Sequence, residues 1–70
     1  MRLYLEDIVR GYDYPKIECR EILPSGEDIF VGVCKYINGE LISVDNDTYS
    51  LKQVVEKYNI NEDGSLTIWY

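Results

Sequence analysis

The sequence predicts an α+β fold: a small, curled antiparallel β-sheet, barrel-like and of about five strands, with one or two short helices. Three observations predict it. Residues 29–37 are rich in β-branched and aromatic side chains, as a strand should be. Asn38-Gly39 follows at once, and both residues accept the positive φ of a two-residue type I′ hairpin. Apolar residues with helical spacing stand before and after these strands.

The elements follow in chain order. Leu5, Ile8, Val9 and Tyr12 fall at i, i+3, i+4 and i+7, so residues 2–10 read as a helix. Gly11 stands where a helix C-terminal glycine would. Leu3 and Leu5 also alternate with Arg2 and Tyr4, which leaves a leading strand open. Tyr14-Pro15 reads as a break, because a residue before proline avoids the α region. Residues 16–23 alternate as a strand, with Ile17, Cys19 and Leu23 on one side and Glu18, Arg20 and Ile22 on the other. Residues 24–28, Pro-Ser-Gly-Glu-Asp, form a turn.

The Asn38-Gly39 turn sets a register. Ile37 faces Glu40, Tyr36 faces Leu41, Cys34 faces Ser43 and Val33 faces Val44. One face of the hairpin then carries Val31, Val33, Ile42 and Val44. The other carries Phe30, Cys34, Tyr36 and Leu41. Both faces are apolar, so both need cover: a curled sheet with a helix on one side, or a second copy.

After a strand over 40–45, Ser50 and Gln53 have the spacing of a capping box for a helix that starts at Leu51 and ends near Glu56. Tyr49 and Val54 occupy the two positions of a hydrophobic staple. Residues 57–60 alternate as a strand, 61–64 read as a turn and 65–70 as a last strand, making a second hairpin.

Composition bounds the function. Seventy residues make one domain. A chain of this size buries only roughly 60% of its unfolded surface, so its core is small. Thirteen acids against seven bases give a formal charge of −6. Phosphate backbones are bound by neutralising lysines and arginines, so direct nucleic-acid binding is not expected, and neither is an anionic membrane. A basic protein, or one that ordinarily holds nucleic acid, suits this charge. No run of 18 apolar residues occurs. Acids come too early for a signal peptide, so the expected location is cytoplasmic, where Cys19 and Cys34 stay thiols.

Catalytic chemistry is not expected. The chain has no histidine to deprotonate either cysteine, and two cysteines are too few for a structural zinc site. No phosphate loop and no nucleophile elbow occur. No cofactor and no metal is expected. Asp45-Asn46-Asp47 lacks the glycine and distal glutamate of a calcium loop. Tyr12, Tyr14, Trp69 and Tyr70 read as packing aromatics, since stacking surfaces for bases are basic.

One arrangement stands out. In a meander of strands 16–23, 29–37 and 40–45, the turn at Glu27-Asp28 and the exit at Asp45-Asp47 lie at one end. Glu27, Asp28, Asp45 and Asp47 therefore share a rim of the sheet, the candidate partner-binding site.

Residues 38–51 and 62–69 resemble small uncharacterised acidic proteins of Gram-positive bacteria and their prophages. The resemblance covers the C-terminal half. It implies a mobile-element origin and carries over no activity. The sequence thus points to a non-enzymatic protein-binding or regulatory module, of the kind by which a phage protein blocks a host protein. The alternative is a self-associating structural protein, a homodimer joined through an apolar sheet face.

Overall fold

The computed structural model describes residues 2–43 and 50–70. One helix, α1 (Leu5–Val9), is followed by β1 (Tyr14–Ile22), β2 (Asp28–Ile37), β3 (Glu40–Ser43), β4 (Lys57–Ile60) and β5 (Leu66–Trp69). The strands form one sheet in the order β3-β2-β1-β5-β4. The fold is α+β and mostly sheet, but the sheet is mixed and open. β1 and β5 run parallel, against the antiparallel expectation. Among the described residues β3 and β4 are edges and do not meet, so the barrel-like closure does not form.

The Asn38-Gly39 turn has φ of 54° and 81°, the two positive values a type I′ turn requires. Its register is as expected at Ile37↔Glu40, Tyr36↔Leu41 and Cys34↔Ser43. The expected Val33–Val44 pair, and Tyr49 of the staple, lie outside the described residues. The second hairpin also forms: Asn61 N–H donates to the Ser65 carbonyl at 2.8 Å, and Gly64 takes φ of 87°.

Two β-bulges re-aim side chains. Tyr14 pairs with Tyr36, yet Ile17 pairs with Cys34, so β1 carries an extra residue beside Pro15. A bulge spares proline a ladder bond it cannot make, so the chain begins its strand at Tyr14 instead of breaking there. In β2, Cys19 pairs with Gly32 and Arg20 with Phe30, which leaves Val31 as the extra residue. A one-residue slip exchanges faces. Val31 therefore packs against the core, while Phe30 crosses to the opposite face with Arg20, reversing their expected placement.

The helix expected from Leu51 does not form. Ser50 Oγ accepts from Lys52 N–H at 3.1 Å, and the Ser50 carbonyl accepts from Gln53 N–H at 2.9 Å, closing a turn. The chain then runs extended beside the N-terminus: Val54 bridges Tyr4, and Val55 N–H donates to the Leu3 carbonyl at 2.7 Å. The Gln53 and Leu51 carbonyls accept from Leu5 and Glu6 N–H, both at 2.9 Å. Serine here serves a tight turn, and the segment serves as the backbone cap of α1. The helix itself is shorter than the expected 2–10, because residues before Leu5 are held in this pairing.

The core lies between one sheet face and α1. Ile17, Cys19, Cys34, Leu66 and Ile68 of the sheet are buried with Leu5, Val9 and Val55. Cys19 and Cys34 are thiols with sulfurs 4.0 Å apart, diagonal neighbours on adjacent strands.

Candidate functional site

The opposite face of the sheet is built from the alternate residues of the same strands. Pairing places Arg20 beside Phe30 and Trp69, Ile22 beside Asp28, and Lys57 beside Trp69. Ile42 shares this face beside Lys35, which lies on the side of Val33 and Glu18. No helix or strand among the described residues packs on it. Phe30 is 53% exposed, Ile42 40% and Ile22 37%. Large apolar side chains thus stand in water, interleaved with charges of both signs.

A hydrogen-bonded cluster sits at the centre of this face. Asp28 Oδ2 accepts from Arg20 Nε at 2.7 Å and from Trp69 Nε1 at 2.8 Å. Arg20 also donates through Nη1 to Glu18 Oε2 at 3.1 Å. Lys57 Nζ lies 4.7 Å from the Trp69 ring centroid, a cation–π contact. The cluster ties β2, β1, β5 and β4 together. The Trp69 indole and then the Arg20 guanidinium hold the Asp28 carboxyl below the usual carboxylate range. Asp28, and after it Glu18, hold the Arg20 guanidinium more firmly protonated.

This geometry changes the meaning of the acidic rim. Asp28 stands on the open face of the sheet, engaged by a cation and an indole. Glu27 is exposed in the turn where Leu23 N–H donates to the Glu27 carbonyl at 2.7 Å. Asp45 and Asp47 lie outside the described residues. β3 does run back toward the start of β2, and its last described residue, Ser43, pairs with Cys34.

Sequence reading left two features unseen. The Arg20–Asp28–Trp69 cluster needs β5 docked parallel on β1, which no local signal announces. A second network staples the β4–β5 turn. Asp63 Oδ1 accepts from Ser65 N–H at 2.9 Å and from Ser65 Oγ at 2.6 Å. Asn61 Nδ2 donates to Ser65 Oγ at 2.9 Å and Thr67 Oγ1 at 3.0 Å, and Asn59 Nδ2 donates to Asn61 Oδ1 at 2.7 Å. The Ser65 hydroxyl and then its N–H lower the Asp63 pKa. These bonds satisfy the buried Ser65 and Thr67 and hold the turn.

The aromatics divide. Tyr14 is buried, and burial is the main cause that raises its pKa, while Tyr12 is 69% exposed and stacks on it at 5.7 Å. Among the described residues no three acids or cysteines converge as metal ligands would, and no helix is long and apolar enough to cross a membrane. No protein-family model, curated protein or solved structure matches this chain.

Proposed function

We propose that this chain is a non-enzymatic protein-binding module whose docking surface is the uncovered face of the sheet, with its acids favouring a basic partner. The observation that carries this reading is the exposure of Phe30, Ile42 and Ile22 on the same face as an internally paired cluster. Interfaces combine apolar contacts with aromatic and arginine side chains held in place before binding. The net charge of −6 supplies long-range attraction to a cationic surface.

The Arg20–Asp28–Trp69 cluster supports a division of labour. Asp28 fixes the platform, and the charges of Glu27, Asp45 and Asp47 steer the partner toward it. Immobilised protein should retain a defined partner from lysate of its own cells, and less of it as salt rises. Phe30→Asp with Ile42→Asp should abolish retention. Glu27→Gln, Asp45→Asn and Asp47→Asn together should weaken it and flatten its salt dependence. Equal retention by wild type and the Phe30/Ile42 variant would refute the docking face.

A further inference from the structure

We infer that β4 is the contact strand of a homodimer, in which Lys57–Ile60 of two copies pair antiparallel and join two sheets into one. The inference concerns a different surface from the docking face and stands without it.

Among the described residues β4 is an edge of the sheet, and all four of its residues are exposed. Tyr58 pairs with Ile68 and Ile60 with Leu66, so both point to the side of the core. Ile68 and Leu66 are fully buried, yet Tyr58 is 47% and Ile60 56% exposed. The apolar layer thus continues one strand beyond the shelter of α1. Such an edge is a template for another strand.

The ladder decides what that edge offers. Asn61 N–H bonds to β5, at Ser65. Antiparallel alternation then turns the backbone of Asn59 and Lys57 toward β5 as well. Tyr58 and Ile60 direct their N–H and C=O groups off the edge. With a two-fold axis at Asn59, Tyr58 of each copy faces Ile60 of the other. Those residues exchange a pair of hydrogen bonds on each side of the axis. Their side chains form aromatic–β-branched cross-strand pairs, a favourable combination.

The other registers fail. An axis at Ile60 sets Tyr58 against Glu62, and one at Tyr58 sets Ile60 against Glu56. A one-residue slip would send Tyr58 and Ile60 to opposite faces. Charge also selects the antiparallel direction. Lys57 closes one end of the strand, and the turn with Asp63 follows the other. Antiparallel pairing about Asn59 sets Lys57 against the neutral Asn61 of the second copy, whereas parallel pairing would set Lys57 against Lys57. Two copies at −6 each repel over distance, so added salt should strengthen this association. A basic foreign partner would respond in the opposite sense.

Sedimentation equilibrium on the full chain, from micromolar to millimolar concentration at low and high salt, tests the inference. The mass should rise to that of two copies, at lower concentration in high salt. Ile60→Lys, at a site already exposed, should leave the circular dichroism unchanged and raise the dissociation constant about tenfold or more. Asn59→Cys places two thiols across the axis, where non-hydrogen-bonded strand neighbours approach closely enough for a disulfide. With diamide it should cross-link into dimers faster than Ile42→Cys on the other edge, while the wild type, with both cysteines buried, should not. A mass of one copy throughout overturns the dimer. Wild-type association by Ile60→Lys, or equal cross-linking at Asn59 and Ile42, overturns its placement at β4.

Discussion

The two faces of β1 are made from alternate residues of one strand and are held by different forces. Ile17 and Cys19 lie fully buried beneath α1. Glu18 and Arg20, one residue along, belong to a solvent-facing cluster of ion pairs and an indole. The covered face is secured by removal of apolar surface from water, which involves no titrating group and no charge to be screened. The open face is secured by charge-assisted hydrogen bonds, which are weakened by both acid and ionic strength. One strand thus carries a stable side and a condition-dependent side.

Leu66→Ala should break the covered face. It removes a fully buried side chain and should cost about 2–5 kcal/mol in denaturant unfolding, enough to threaten the fold of so small a domain. Gly39→Val attacks the turn that aligns β2 with β3. At φ of 81° a β-branched residue is strained by about 1–2 kcal/mol, visible as a lower unfolding midpoint.

Trp69→Phe keeps an aromatic ring in place of the indole and deletes the N–H donor to Asp28, so its cost should fall below that of Leu66→Ala. The same cluster gives a pH signature. The folded Asp28 carboxyl titrates below its unfolded value. Its stabilisation is complete above the ordinary carboxylate range and is lost as pH falls through the folded value. The stability difference between wild type and Asp28→Asn should therefore be constant at neutral pH and shrink in acid. A difference that stays constant into acid would mean that the carboxylate charge contributes nothing. Phe30→Ser should change stability least, within about 0.5 kcal/mol, because the ring is already exposed. A larger loss would show that the open face is covered after all.

What the sequence made legible was local. Asn38-Gly39 encodes its own turn and three cross-strand pairs, because positive φ at both positions admits one short hairpin. The alternation of Ile17 and Cys19 with Glu18 and Arg20 separated the two sides of β1, of which the first is the buried one. Non-local choices were not legible. Nothing in Leu66–Trp69 states that it docks parallel to β1, since an apolar strand satisfies either neighbour. Val31 looks like any strand residue, yet its bulge moves Phe30 across the sheet. Ser50 and Gln53 matched a helix start, and the competing turn won because the segment is held against Leu3–Glu6. Of the acidic rim, the bonds that engage Asp28 were not legible, since its partners Arg20 and Trp69 come from separate strands.

The capping of α1 by carbonyls of Leu51 and Gln53 has a consequence for how the chain reaches its fold. Five residues are too few to persist as an isolated helix. This one waits for acceptors more than forty positions downstream. During synthesis the N-terminal end must stay uncommitted until the C-terminal half has left the ribosome. A chain cut before residue 50 should therefore keep the Asn38-Gly39 hairpin in outline and lose the helix altogether.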